Sequence, residues 1–136
     1  MRFVDTNVLL YAISRDPEEL PKVEIANAVL SDRDLALSVQ VLQEFYVQAT
    51  RATRADALTH RQAADLVTAY GRFVVQDTTV EIVQAAMAAR DRYGIAYWDA
   101  AIIEAARTIG CDTVLSEDLS DSQDYDGVVV TNPFSR

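Results

Sequence analysis

Phe3-Val4-Asp5-Thr6-Asn7-Val8-Leu9-Leu10 is the stretch of sequence that decides the fold. Its apolar start predicts a short buried strand, its polar centre predicts a turn, and the apolar run that follows predicts a helix. Further strands are predicted at 35–38, 73–75, 113–115 and 128–130, and the segments between them include stretches whose apolar residues have the spacing of a helix. Strands that alternate with helices predict an α/β fold, with a parallel sheet that is covered on both faces.

Several side chains mark where the predicted helices begin. Ser38 can cap the helix that follows the second strand. Thr59 with Gln62, and Thr78 with Glu81, show the spacing of a capping box, in which two side chains satisfy the first backbone N–H groups. The last helix is predicted to end at Gly110, from an apolar stripe at Trp98, Ile102, Ala105 and Ile109.

The composition predicts a single domain over residues 1–136. Half of the residues are hydrophobic, which is enough to fill a core. A net charge of −9 argues against nucleic-acid binding over the whole surface, but it allows a local basic patch or an acidic metal site. Cys111, the one cysteine, cannot form an internal disulfide and is expected to be buried. No apolar segment approaches the ~18 residues of a membrane span, so we expect a cytoplasmic protein.

Four acidic residues adjoin or interrupt apolar elements: Asp5, Glu44, Asp99 and Asp118. Asp5 and Asp118 each follow a predicted strand, at the sheet edge where ligands bind in parallel α/β folds. Taken singly, Asp5 is better explained as a helix cap, and Asp99 as a partner of the helix dipole. A turn would explain Asp118, whereas Glu44 is as easily an exposed residue as a functional one.

Together, the four carboxylates predict a site for a divalent cation. Converging carboxylates repel one another and raise each other's pKa, and a cation relieves that repulsion. Mg²⁺ prefers carboxylate oxygens and keeps several waters, one of which can attack a phosphodiester. Other catalytic sets have little support, because His60 is the one histidine and no zinc spacing, P-loop or G-x-S-x-G motif occurs.

The ordered motifs resemble the PIN domain, in particular the VapC-type toxins of bacterial toxin–antitoxin pairs. The matching segments, which span essentially the whole chain, are Phe3–Leu9, Leu42–Val47, Tyr97–Ile102, Leu115–Asp118 and Gly127–Phe134. The resemblance implies a three-layer α/β/α fold with a five-stranded parallel sheet. It also implies an Mg²⁺- or Mn²⁺-dependent endoribonuclease that hydrolyses RNA with a metal-activated water.

The resemblance also implies roles for individual residues. The family's acidic residues map to Asp5, Glu44, Asp99 and Asp118. Among these, Asp5 and Asp99 are the expected direct metal ligands. The polar residues that would orient the cluster or the water are Thr6, Asn7 and Ser116.

One position departs from the family's pattern. Glu117 stands between Ser116 and Asp118, where the family often carries asparagine. Its carboxylate either supplies a further metal ligand or faces solvent, and both interpretations stay open, as does a second metal site. Asp121 is a further peripheral acid that could contribute.

The resemblance implies partners that the residues themselves do not show. VapC-type toxins are neutralised by a cognate antitoxin and commonly form homodimers, so both partners are expected here. The expected substrate is structured RNA, such as tRNA or ribosomal RNA. The alternatives are a catalytically weak PIN-like RNA-binding or scaffold domain, and a related nuclease with a housekeeping or DNA-directed role.

Residues 48–61 form the most basic stretch of this acidic chain. They contain Arg51, Arg54, His60 and Arg61, against Asp56 as the one acid. We hypothesise that this stretch, with Arg51, Arg54 and Arg61, lines the path of the RNA beside the carboxylates. A solvated helical connection is the equally weighted alternative.

Reversing Arg51 and Arg54 together to glutamate tests that hypothesis. Loss of two phosphate contacts, together with new repulsion, is expected to lower the rate of RNA cleavage by roughly tenfold and to flatten its salt dependence. The measurement is cleavage of a labelled RNA over a range of salt concentrations. Unchanged cleavage by the double variant would remove the basic stretch from the RNA path.

Overall fold

The computed structural model describes residues 1–135. The predicted polar turn after the first strand is shorter than expected, because the first helix begins at Thr6 and only Asp5 lies between strand and helix. The strands are β1 (Arg2–Val4), β2 (Leu35–Ser38), β3 (Val74–Gln76), β4 (Thr113–Leu115), β5 (Asp124–Tyr125) and β6 (Val128–Thr131). The helices are α1 (Thr6–Ala12), α2 (Leu20–Leu30), α3 (Val39–Ala49), α4 (His60–Tyr70), α5 (Val80–Tyr93) and α6 (Tyr97–Thr108). A 3₁₀ turn at Pro17–Glu19 precedes α2.

One sheet holds the strands in the order β3-β2-β1-β4-β6-β5. The first strand is central, since Phe3 pairs in parallel with Ala36 of β2 and with Val114 of β4. The chain crosses the sheet from β1 to β3, then returns past β1 to β4. Right-handed crossovers therefore place α1 to α4 on one face and α5 and α6 on the other. The three-layer α/β/α prediction is confirmed.

The sheet has six strands, where the sequence predicted five parallel ones. The extra strand is β5, a two-residue strand that runs antiparallel to β6 within the acidic run 117–126. Tyr125 is buried and anchors this run to the core, while Asp124 and Asp126 on either side stay exposed, as expected. Gly127, with φ of +99°, completes the turn into β6. The short hairpin was missed because the sequence of this run is mostly polar.

Most predicted helix starts are confirmed, with one correction. Ser38 accepts a hydrogen bond from Val41 N at the start of α3, and Thr59 caps α4 with the full capping box. At α5, however, the cap is Thr79 and not Thr78, because Thr79 has the extended backbone and accepts a hydrogen bond from Ile82 N. Adjacent threonines give the same composition, so only backbone geometry distinguishes them.

The core lies on both faces of the sheet. Seven consecutive residues of α6, 100–106, are buried, because this helix lies between the sheet and α5. Cys111 is buried, as expected. Trp98 was expected in the apolar stripe of α6 but is 66% exposed at the first turn of the helix. No helix among residues 1–135 has both the length and the apolar character to cross a membrane.

Replacing Thr79 with alanine tests the corrected helix start. The substitution removes the hydrogen bond to Ile82 N and is expected to lower the free energy of unfolding by about 1 kcal/mol. Thr78→Ala is the matched control and is expected to change it by less than about 0.5 kcal/mol. Urea unfolding curves measure both values. A larger loss in Thr78→Ala than in Thr79→Ala would contradict the assignment.

Candidate active site

Asp5 lies at the carboxyl end of β1 and is almost fully buried, with 7% exposure. Its backbone N–H continues the ladder to Leu115 O of β4 at 3.0 Å. Its Oδ1 accepts a hydrogen bond from Thr6 N at 2.7 Å, which also makes Asp5 the N-cap of α1. Its Oδ2 accepts one from Ser116 Oγ at 2.8 Å. Asp5 therefore caps the helix and also takes part in a polar cluster between two strands.

The side-chain amide of Asn7 joins the two strand ends. Its Nδ2 lies 3.3 Å from Asp5 Oδ2, 3.1 Å from Ser116 Oγ and 3.3 Å from Asp118 Oδ2. Its Oδ1 accepts a hydrogen bond from Glu117 N at 3.1 Å. An amide offers both donors and an acceptor, so one side chain can fix the carboxylates and the backbone of the facing loop.

Glu44 and Asp99 approach the same place from the two helical layers. Glu44 is half-buried on α3, where Gln40 Nε2 donates to its Oε1 at 2.7 Å. Asp99 is half-buried in the first turn of α6. A pocket of about 310 Å³, here called the acid pocket, is lined by all four predicted acids: Asp5, Glu44, Asp99 and Asp118. Residues that are distant in sequence are thus brought together.

The acid pocket concentrates negative charge. None of the four acids forms an ion pair within the described residues. Burial raises the pKa of Asp5 to about 6, and the charges of Glu44 and Asp118 act in the same direction against its hydrogen bonds. Burial also raises the pKa of Asp99 above its ordinary value, with the charge of Asp118 as the second cause. A cation in the pocket would remove this electrostatic cost.

The donor chemistry of the acid pocket fits Mg²⁺ or Mn²⁺, which prefer carboxylate oxygens. Thr6 also lines the pocket, and its Oγ1 is a buried polar atom with no hydrogen-bond partner in residues 1–135. In the part of the chain that is described, however, no three acidic, histidine or cysteine side chains stand close enough to hold one ion. Coordination by three of the acids therefore requires a rotamer change in at least one of them.

Glu117 is held away from the acid pocket by the only lysine of the chain. Lys22 Nζ lies 3.0 Å from each carboxylate oxygen of Glu117, and Tyr11 Oη donates to Glu117 Oε1 at 3.0 Å. Glu117 does not line the pocket. Asp121 also has a local role, since its Oδ1 accepts a hydrogen bond from Asn132 N at 2.9 Å. As placed, neither carboxylate adds to the donor set.

The three arginines of the basic stretch have different surroundings. Arg54 lines the acid pocket, and its Nε lies 2.8 Å from Asp56 Oδ1. Arg51 lines a neighbouring pocket, described below. Arg61 is exposed, pairs with Asp65 one helical turn away and lines neither pocket. His60 is exposed, as expected, with a hydrogen bond to Tyr46 Oη.

Several residues of the site were not singled out from the sequence. Gln40 is one helical turn before Glu44, so an i, i+4 search on α3 would have found it. Lys22 gave no local signal, because its partner Glu117 is distant in sequence. The acid pocket also includes Glu19, whose Oε1 accepts a hydrogen bond from Ser14, and the side chains of Leu10, Tyr11 and Gln48.

Comparison with known proteins assigns the family. The sequence matches the PIN domain family model over residues 2–122. The chain therefore belongs to the PIN domain family and is a domain of the nuclease type. No curated protein matches the sequence.

Solved structures with a similar fold have low sequence identity to this chain. One is a toxin–antitoxin complex from Klebsiella pneumoniae, with 20% identity, 98% of each chain covered and a TM-score of 0.70. Another is Mycobacterium tuberculosis VapC20, a toxin that cleaves the sarcin–ricin loop, with 19% identity, 87% and 90% coverage, and a TM-score of 0.66. VapBC2 from Rickettsia felis, bound to a promoter DNA fragment, has 17% identity, 96% and 97% coverage, and a TM-score of 0.65.

Thermal unfolding tests the acid pocket as a cation site without reference to catalysis. Mn²⁺ at a hundredfold excess over its Kd is expected to stabilise the wild type by about 2.7 kcal/mol, seen as a rise in Tm. Asp5→Asn is expected to lose most of that rise. Glu117→Gln, the matched control outside the pocket, is expected to keep it. Equal rises in all three proteins would show that the ion binds elsewhere.

Proposed function

We propose that this chain is an Mg²⁺- or Mn²⁺-dependent endoribonuclease that hydrolyses RNA phosphodiester bonds. The observation that carries the proposal is the acid pocket, where four carboxylates without a basic partner meet at the carboxyl ends of β1 and β4. Membership of the PIN domain family supports the same chemistry. A phosphodiester is the substrate that suits such a site, because it needs both a nucleophilic water and neutralisation of phosphoryl charge.

The four acids would hold the cation with unequal roles. Asp5 and Asp99 are the proposed direct ligands, with Glu44 and Asp118 completing the set. The bound ion supplies an acidified water and stabilises charge on the phosphoryl oxygens. Arg54 is the one basic residue among those that line the pocket, and it would contact the phosphate of the RNA.

A set of polar groups fixes the proposed ligands. Ser116 Oγ and Thr6 N both donate to Asp5, so its carboxylate has little rotational freedom. Asn7 ties Asp118 to the same centre through Nδ2. Loss of such orienting partners lowers metal affinity or activity by about 10- to 100-fold in other metal sites. These residues would orient the ligands without contacting the RNA.

The proposal extends to a toxin role in a toxin–antitoxin pair. Similar structures include complexes of this kind and a toxin that cleaves the sarcin–ricin loop. A cognate antitoxin with a basic segment would complement a pocket lined by five acids in a chain of net charge −9. The proposed substrate is tRNA or ribosomal RNA in the cytoplasm, and the proposed assembly is a homodimer.

A catalytically weak RNA-binding or scaffold domain is the competing function. Such a domain would keep the fold, but it has no need for four neighbouring carboxylates that form no salt bridge. Converging negative charges destabilise the folded state, and a scaffold gains no activity in return. The acid pocket therefore favours the enzyme.

RNA cleavage by the wild type and by Asp5→Asn, each with Mg²⁺ or Mn²⁺, distinguishes the two functions. Asp5→Asn is expected to cut at least about 100-fold more slowly, because loss of a ligand costs no less than loss of its orienting partner. Chelation of the metal should abolish wild-type cleavage. Equal cleavage by both proteins would refute the mechanism. Failure of both, with RNA binding intact, would favour the scaffold.

A further inference from the structure

A second pocket adjoins the acid pocket and is here called the side pocket. It has a volume of about 390 Å³, in the range of pockets that bind small ligands, ~300–1,000 Å³. Glu44, Gln48 and Trp98 line both pockets, so the two form one continuous groove. The remaining wall of the side pocket comes from Gln40, Gln43 and Val47 of α3 and from Arg51, just after the end of this helix. A molecule bound to the carboxylates would extend naturally into this space.

Trp98 presents an aromatic face to the groove. Its side chain is 66% exposed, although it precedes Asp99 in the buried helix α6. Gln40 Nε2 donates to Trp98 O at 3.2 Å and to Glu44 Oε1 at 2.7 Å, which ties the start of α6 to α3. The Tyr97 ring packs against the indole edge-to-face at 5.0 Å. The tryptophan is therefore held in place while its surface stays available for contact.

The rest of the side pocket offers polar groups that the fold does not use. Within the described residues, Gln43 and Gln48 make no side-chain hydrogen bond, and Arg51 makes no ion pair. Glutamine amides carry the donor and acceptor that match base edges, and arginine matches phosphate. Val47, which is 54% exposed, adds an apolar surface. An aromatic plane combined with amides and one cation matches the chemistry of a nucleotide.

We propose that the side pocket binds one unpaired nucleobase of a single-stranded RNA segment, stacked on Trp98 beside the phosphodiester to be cleaved. This inference rests on the proposed function for the position of that phosphodiester. Stacking on aromatic side chains is the common mode of single-strand recognition, because every base has a π-face. A paired base inside a helix has both faces covered, so the site selects loops or single-stranded regions.

The single tryptophan of the chain makes the contact directly observable. Asp5→Asn protein, in which the RNA should stay intact, is titrated with a short oligouridine while indole fluorescence is recorded. Stacking is expected to quench the fluorescence. A ribose-phosphate chain of the same length without bases, and a duplex RNA, are expected to leave it nearly unchanged. Equal quenching by the base-free chain would overturn the proposal.

Substitutions separate stacking from simple surface loss. In the Asp5→Asn background, anisotropy of labelled oligouridine is expected to show about tenfold weaker binding for Trp98→Ala. Trp98→Tyr should stay within about threefold, because an aromatic face remains. Met87→Ala removes another exposed apolar side chain, on α5 and outside the pocket, and serves as the control. Unaltered binding by Trp98→Ala would overturn the proposal.

A protein–protein contact at the side pocket, or failure of the proposed cleavage mechanism, would each give a different experimental result. If Trp98→Ala converts a dimer to a monomer in sedimentation runs, and RNA does not quench the wild-type dimer, the surface is a contact between copies and the proposal is overturned. Equal RNA cleavage by the wild type and Asp5→Asn would refute the proposed mechanism. The binding and quenching experiments report occupancy of the side pocket, and EDTA is added to keep the RNA intact if Asp5→Asn still cuts it, so each idea can fail separately.

Discussion

A carboxylate that is withdrawn from water needs other partners, and the partners of Asp5 define the site. Burial of an ion costs several kcal/mol unless hydrogen bonds compensate, and Asp5 obtains them from Thr6, Asn7 and Ser116. Ser116 can reach Asp5 only because β4 lies directly beside β1. The hydrogen bonds of Asp5 therefore depend on the order of strands in the sheet, on the start of α1 and on the loop after β4.

The basic residues near the acid pocket pair with acids other than the four that were predicted to hold a metal. Lys22 neutralises Glu117, and Arg54 lies against Asp56, although each acid lies close to the pocket in space or sequence. Asp5, Glu44, Asp99 and Asp118 have no ion-pair partner within the described residues, and the charges of Glu44 and Asp118 add to burial in raising the pKa of Asp5. Attraction for a cation and for a basic protein segment then has the same physical origin, so the two would compete for one place.

Local patterns predicted the parts of the site that lie next to strands. Asp5 and Asp118 follow apolar runs, and the rule that parallel strands end at one edge brought them together correctly. Glu44 and Asp99 were singled out because they interrupt or open apolar helices, but helical spacing alone does not say which layer a helix joins. The ion pair of Lys22 and Glu117 and the exposure of Trp98 depend on tertiary packing, which no local pattern records.

The hydrogen bond between Ser116 and Asp5 joins residues that are 111 positions apart. A chain made on the ribosome emerges from its N-terminus, so helices α1 to α6 are all synthesised before β4 can pair with β1. Such long-range parallel pairing forms slowly compared with local structure. The four acids consequently meet only after β4 has been made, and a chain synthesised only as far as α6 would lack the assembled site beside the RNA-rich machinery that is making it.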